Sequence, residues 1–135
     1  MHILIKREYL ETMKKLSRET YPIEACGILV GLFKRDIIEV TRIVCARNQL
    51  ESPNLFKIDP ELLLETINKA EREGLELVGF YHSHPEDTPP SEIDERYMAY
   101  WVGYIWIIVP VKGGKIAAYL STRRGATEIS IDVYC

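Results

Sequence analysis

Two of the three histidines in this chain, His82 and His84, are separated by one residue and follow an apolar stretch, 75–81. If that stretch is a β-strand, both imidazoles leave the same face, with their Cα atoms roughly 6.5–7 Å apart. This spacing allows two rings to bind one metal ion. Asp94 follows after a proline-containing loop and can supply a third ligand. Two histidines and one carboxylate leave one position of a tetrahedral site open, which is typical of catalytic zinc.

Further polar residues accompany this motif in a specific order. Glu24 lies just before a second apolar stretch, and Ser91 stands three positions before Asp94. Together with His82-Ser83-His84-Pro85, they resemble the signature of the JAMM, or MPN+, zinc metalloproteases, in the minimal form of prokaryotic or archaeal members. The resemblance covers nearly the whole chain. It implies that His82, His84 and Asp94 bind one Zn²⁺ per chain, and that Glu24 and Ser91 are catalytic.

The loop between the second histidine and the serine departs from the family pattern. Six residues, Pro85 to Pro90, separate His84 from Ser91, whereas family members usually have seven. The spacing from Ser91 to Asp94 is unchanged, so the ligand set is retained. The shorter loop is expected to change the shape of the rim along which a substrate would lie.

A bare His-x-His motif is weak evidence for a metal site, because two histidines at a strand end are often ordinary polar residues. The presence of Glu24, Ser91 and Asp94 favours ligation. Other folds with this motif fit poorly. Amidohydrolase barrels need a far longer chain, and cupins carry a glutamate about four residues after the second histidine, where this chain has Thr88.

The segment Ser91-Glu92-Ile93-Asp94 also matches a helix capping box, with Ser91 as the N-cap and Asp94 accepting from its backbone N–H. Capping and ligation compete for the same atoms, and one carboxylate cannot fully serve both. The two nearby histidines favour ligation by Asp94. The Ser91 hydroxyl would then stabilise a developing oxyanion near the metal.

Considered alone, Glu24 would be interpreted as a surface carboxylate in a turn. Its assignment as general base rests on the resemblance and on a mechanism that requires a base other than the ligands. Cys26 stands two residues later and could be mistaken for a nucleophile. Once His82 and His84 bind metal, only His2 at the N-terminus remains and no histidine of the motif can activate Cys26, so we expect Cys26 to be a small core residue.

Size and composition predict one domain, residues 1–135, because a chain with 47% hydrophobic and 27% charged residues can bury a core without disulfides. A net charge of −3 without a long basic stretch argues against a nucleic-acid partner. The three widely spaced cysteines favour a reducing cytoplasm. The longest uncharged stretch, 97–111, is too short for a membrane span, so no membrane partner is expected.

Apolar periodicity predicts the elements that position these residues. One helix is expected over 7–17, and a second begins at Asp59-Pro60, an N-cap followed by proline at the first helical position, and ends at Gly74. A third, short helix begins at Ser91 and ends near residue 99 or 100. Strands are predicted over 3–5, 26–33, 36–45, 75–81, 104–109, 115–121 and 127–133, with turns at Lys34-Arg35 and Gly113-Gly114.

These strands and helices do not alternate strictly, so a βαβ series is not indicated. We predict an α/β fold, a single MPN-like domain in which helices pack on a curved, mixed, barrel-like sheet. The resemblance implies the same architecture, with zinc at one strand end. Five aromatic residues after the site are expected to lie mostly in the core, with an exposed subset facing a partner: Tyr97, Tyr100, Trp101, Tyr104 and Trp106.

The resemblance implies a zinc isopeptidase or peptidase acting after the C-terminal Gly-Gly of a ubiquitin-like protein conjugate, whose tail lies extended past the zinc. Two alternatives remain open. One is a peptidase that releases an amino acid, such as cysteine, from a ubiquitin-fold sulfur-carrier protein. The other is a scaffold MPN module that binds partners without cutting, although such modules typically lose ligands. Linkage selectivity and a homodimeric state stay open.

Overall fold

The computed structural model describes residues 1–86 and 88–135, so Asp87 in the loop after His84 lies outside the described residues. Within the described ranges, no helix is long and apolar enough to cross a membrane. The elements follow in the order β1 His2–Lys6, α1 Arg7–Thr20, β2 Cys26–Phe33, β3 Ile37–Ala46, α2 Pro60–Arg72, β4 Glu76–His84, α3 Glu92–Met98, β5 Ile105–Pro110, β6 Ala117–Thr122 and β7 Gly125–Tyr134.

The strands form one closed, mixed barrel in the order β1-β3-β2-β4-β5-β6-β7, and β7 returns to pair with β1. The pairs β1–β3, β1–β7 and β4–β5 are parallel, and the remaining neighbours are antiparallel. The β4-α3-β5 connection is a single parallel crossover. The predicted α/β fold with a mixed, barrel-like sheet is therefore confirmed.

Helix α1 extends beyond the end predicted from its apolar stripe. The stripe stops at Leu16, but the helix continues through Thr20. It ends where Tyr21 adopts an extended conformation, with ψ of 133°. A residue before proline disfavours the helical conformation, so Pro22 sets the end of this helix.

Two apolar clusters hold the helices on the barrel. Leu10 and Met13 of α1 pack with strand residues of the first cluster. Ala70 of α2 and Met98 of α3 pack in the second, around Phe80 of β4. Since β4 contributes to both clusters, the strand that carries the two histidines is fixed from two sides.

Strand β4 extends through His84, three residues beyond its predicted end at Tyr81. The apolar pattern stops at Tyr81, but hydrogen bonding to β5 continues as far as the pair His84–Pro110. The two strands approach closely at Gly79, where a Cβ atom would clash with the carbonyl oxygen of Ile105. The partner strand, which is distant in sequence, therefore holds both histidines on regular extended backbone.

Candidate metal centre

Strand β4 and helix α3 bring three donor atoms together. The Nε2 atoms of His82 and His84 are 3.2 Å apart, and Asp94 Oδ2 lies 3.2 Å from the first and 2.9 Å from the second. Both imidazoles leave one face of β4, as alternation along the strand requires. Two imidazole nitrogens and one carboxylate oxygen in this arrangement fit a divalent metal ion such as zinc.

The surroundings of the three donors also fit a cation. His82 is fully buried, and Glu24 is 3% exposed. Glu24 Oε1 lies 3.9 Å from His82 Nε2 and has no hydrogen-bond partner among the described residues. An unpaired carboxylate oxygen beside converging metal donors is costly without positive charge, so the site is built to receive a cation.

Asp94 Oδ2 takes part in the capping box as well as in the donor cluster. It accepts a hydrogen bond from Ser91 N at 2.9 Å, while Asp94 N donates to Ser91 Oγ at 3.0 Å. The same Oδ2 faces both histidine nitrogens. The capping bond and the contacts to both histidines therefore occur together at Asp94, because a carboxylate oxygen has more than one lone pair.

Burial and mutual contacts shift the pKa values of Glu24, His82 and Asp94. Burial, with the charge of Asp94 added, raises the pKa of Glu24 to about 9. A cation held by the three donors would oppose this shift and favour the ionised form of Glu24. Burial lowers the pKa of His82, against the opposing effect of its hydrogen bond with Asp94. Burial acts upward on Asp94, but hydrogen bonds with His82 and His84 hold its pKa well below its usual range. A neutral imidazole and an ionised carboxylate are the states that bind metal.

Glu24 lies in the segment before β2, and Ser83 of β4 holds that segment next to the histidines. The backbone N–H of Ala25 donates to Ser83 Oγ at 2.8 Å, and Ser83 N donates to Ala25 O at 3.0 Å. Ser83 points to the face of β4 opposite the two imidazoles. Sequence reasoning missed this residue, although its position between two candidate ligands was a usable signal.

The segment 47–58, here called the site loop, forms another wall and received no prediction from the sequence. Phe56 stacks on the His82 ring with centroids 4.9 Å apart and planes 23° apart. His82 Nδ1 has no hydrogen-bond partner among the described residues, so this stacking orients the ring in place of a hydrogen bond. Asn48 anchors the loop from within and is likewise a residue that sequence reasoning missed.

A cavity of about 460 Å³ opens beside the cluster. Glu24, His84 and Ser91 all line it, so the structure brings every residue of the sequence motif to one place. Ser91 is exposed, and its Oγ accepts a bond from Asp94, which leaves its proton free to be donated. The other residues that line the cavity are three prolines, one isoleucine and two polar residues: Pro53, Pro85, Pro89, Ile93, Asn54 and Glu86.

Cys26 is 2% exposed, and burial together with the charge of Glu24 raises its pKa to about 12. A thiol in this state is a poor nucleophile, in agreement with the expected core role. Among the aromatic residues, Trp106 is buried, while Tyr97 and Tyr100 are exposed. Tyr100, with 84% exposure, lies at the surface after α3.

The barrel and its donor set are typical of a JAMM metalloprotease domain. The family described as prokaryotic homologs of the JAB domain matches residues 6–122. The chain is 37% identical over 132 residues to a desampylase from Pyrococcus furiosus, covering 97% of this chain and 90% of the relative. The chain belongs to the prokaryotic JAB-domain family, which confirms the resemblance to JAMM proteins.

Two further comparisons agree. A probable TtuB-protein conjugate cleaving protease from Thermus thermophilus is 37% identical over 97 residues, which cover 70% of this chain and 62% of the relative. The solution structure of a protein from Desulfitobacterium hafniense superposes with a TM-score of 0.87 at 26% identity, covering 98% of this chain and 92% of that one. The fold is thus shared over nearly the full length of both chains.

Proposed function

We propose that this chain is a zinc-dependent isopeptidase that hydrolyses the amide bond after the C-terminal Gly-Gly of a ubiquitin-like protein conjugate. The observation that carries the proposal is the convergence of three donor atoms beside a buried carboxylate that is not one of them. Relatives named as a desampylase and as a TtuB-protein conjugate cleaving protease support a protein conjugate as the substrate.

The proposed mechanism assigns one task to each residue. His82, His84 and Asp94 would hold the zinc ion. When bound, zinc polarises the amide carbonyl and lowers the pKa of water. The Glu24 carboxylate accepts a proton from the attacking water and delivers it to the leaving amine. The Ser91 hydroxyl donates a hydrogen bond to the oxyanion that forms on the carbonyl oxygen.

The rim of the cavity supports a tail without side chains as the bound segment. Pro53, Pro85 and Pro89 present rigid apolar walls around Glu24 and Ser91. A Gly-Gly segment can pass such walls in an extended conformation because it carries no Cβ atoms. Selectivity then comes from what holds the scissile carbonyl in place, since zinc and water act on any amide.

The two alternative functions, a sulfur-carrier peptidase and a non-catalytic scaffold, make different use of the site residues. A peptidase acting on a sulfur-carrier protein would use the same groups and differ only in the leaving amine. A scaffold module would not need a complete donor set with a buried carboxylate beside it, so this alternative is not supported.

Cys26, Cys45 and Cys135 are all free thiols, which supports a reducing compartment such as the cytoplasm.

Replacement of Glu24 tests the proposal. Glu24→Gln keeps the shape of the side chain but cannot accept the proton, so turnover of a Gly-Gly conjugate should fall by about 10²-fold or more. Bound zinc, measured by elemental analysis, should remain stoichiometric. Glu86→Gln is the matched control because Glu86 lines the same cavity and has no proposed task. Near-normal cleavage by Glu24→Gln would contradict the general-base assignment.

A further inference from the structure

A buried asparagine organises the site loop from within. Asn48 is 5% exposed. Its Nδ2 donates to the carbonyl oxygen of Leu55 at 2.8 Å, and its Oδ1 accepts from the backbone N–H groups of Leu50 and Lys57 at 3.0 and 3.2 Å. These contacts tie the two ends of the loop together. Only an amide side chain offers two donors and an acceptor in this geometry.

The same side chain holds the backbone of Glu24. Asn48 Nδ2 donates to Glu24 O at 3.1 Å, and Glu24 N donates to Ser52 O of the loop at 2.8 Å. The N–H group of the same peptide unit, which belongs to Ala25, donates to Ser83 Oγ at 2.8 Å. The peptide plane between Glu24 and Ala25 is therefore held at its carbonyl end by the loop and at its N–H end by β4.

We propose that Asn48 is a positioning residue that aims the Glu24 carboxylate at the donor cluster. A fixed peptide plane sets the direction of the Glu24 Cα–Cβ bond, and with it the place of a carboxylate that lies 3.9 Å from His82 Nε2. The inference rests on the proposed role of Glu24 as general base. Loss of about 1 Å of alignment at a reacting group can cost about 10²-fold in rate.

Steady-state kinetics of Asn48→Ala test the inference on a Gly-Gly conjugate. We expect kcat to fall by about 10- to 100-fold, because the base is misaligned, with KM and bound zinc changed by less than about twofold. Gln49→Ala is the matched control, since this neighbouring side chain is exposed. An unchanged kcat per zinc-loaded molecule in Asn48→Ala would overturn the inference.

A double-mutant cycle separates positioning from simple stabilisation. If Asn48 acts through Glu24, adding Asn48→Ala to Glu24→Gln should lower kcat by less than about twofold, because the aligned base is already lost. Equal losses in both backgrounds, measured well below the melting temperature, would mean that Asn48 acts on the fold and not through Glu24.

Amide hydrogen exchange gives a readout that does not depend on activity. Asn48→Ala should accelerate exchange of the Glu24 N–H, which is bonded to the loop, by about tenfold or more. The Ser83 N–H, which is bonded to Ala25, should change little. If exchange at Glu24 is accelerated but the wild-type protein does not cleave the conjugate, the proposed function is refuted, while the inference that Asn48 holds the Glu24 backbone stands. Unchanged exchange at Glu24, or equal acceleration at both amides, would refute the proposal that Asn48 holds the backbone of Glu24.

Discussion

Asp94 shows how one side chain combines a local and a long-range role. Its Oδ2 accepts from Ser91 N at 2.9 Å and lies 2.9 Å from His84 Nε2. The first contact is local in sequence, so a capping box can be predicted from four residues. The second depends on β4, which a local pattern does not contain. The capping bond also holds the carboxylate in the orientation that a metal ligand needs.

Replacing Asp94 by asparagine should separate these roles. The amide oxygen of Asp94→Asn can still accept from Ser91 N, so the stability of the metal-free protein should change by less than about 1 kcal/mol. A neutral amide is a weak zinc ligand, so bound zinc and cleavage should both be largely lost. Asp94→Ala should lose zinc and also lower the melting temperature. Full zinc occupancy in Asp94→Asn would mean that Asp94 is only a cap.

Ser91→Ala should lower both stability and rate. Loss of the N-cap acceptor for Asp94 N costs about 0.5–2 kcal/mol, and loss of the oxyanion donor slows cleavage by about 10²-fold. Asp59→Ala is the matched control, because Asp59 caps α2 by accepting from Glu61 N at 3.0 Å. It should lower stability alone. If Ser91→Ala keeps its rate per folded molecule, Ser91 only caps the helix.

The residues that could be read from the sequence are those whose type alone suggests chemistry. Two histidines with one carboxylate predict a metal ion because few other roles need that set. Ser83 and Asn48 act through backbone contacts to residues 58 and 24 positions away. A serine or asparagine forms such bonds in many settings, so its type does not indicate the partner.

At the level of elements, the strongly periodic segments were predicted and the ends set by distant partners were not. The bounds of β2 follow from its continuous apolar run. The end of α1 was predicted three residues too early, although the local residue Pro22 sets it, whereas the last residues of β4 depend on β5. The site loop has neither helical nor alternating periodicity. A buried asparagine bonds to backbone groups across this loop, and the residue type alone does not indicate those partners.

Close packing of β4 on β5 predicts that Gly79 cannot be replaced. In Gly79→Ala the new methyl group would meet the Ile105 carbonyl, a backbone group that cannot rotate away as a side chain can, at a cost on the order of 3 kcal/mol. Gly74→Ala is the control, because its Cβ would meet nothing and only the positive φ of 76° opposes it. Denaturant unfolding should rank Gly79→Ala as clearly less stable. Equal stabilities would contradict the close approach.

At the level of the whole molecule, the closed barrel and α3 carry the donor residues of the site, and the loops form its rim. The barrel fixes the histidines through β4, and α3 fixes Asp94 through its first turn. Pro53 and Asn54 of the site loop line the cavity together with Pro85, Glu86 and Pro89. In many folds, regular elements position the catalytic groups and loops determine which substrate binds, and the placement of the donors and the rim fits that arrangement.

Selectivity should therefore reside in the tail of the ubiquitin-like protein and in its folded body. We expect rapid cleavage of a ubiquitin-like protein joined through Gly-Gly to a lysine side chain or to a small amine. Changing the second glycine to valine adds a branched side chain beside Pro53 and Pro85. Since a displaced carbonyl is out of reach of attack, cleavage should fall by about 10²-fold or more.

The matched comparison is an unstructured peptide of casein type, which offers amide bonds without the folded body. Initial rates on the Gly-Gly conjugate, the Gly-Val conjugate and the peptide would be measured at equal concentration with the zinc-loaded protein. The conjugate should be cleaved fastest, because its folded body adds contacts that hold the scissile carbonyl in place. Equal rates on the peptide and the Gly-Gly conjugate would mean that the cavity selects only for an extended chain, and that the protein is a general zinc peptidase.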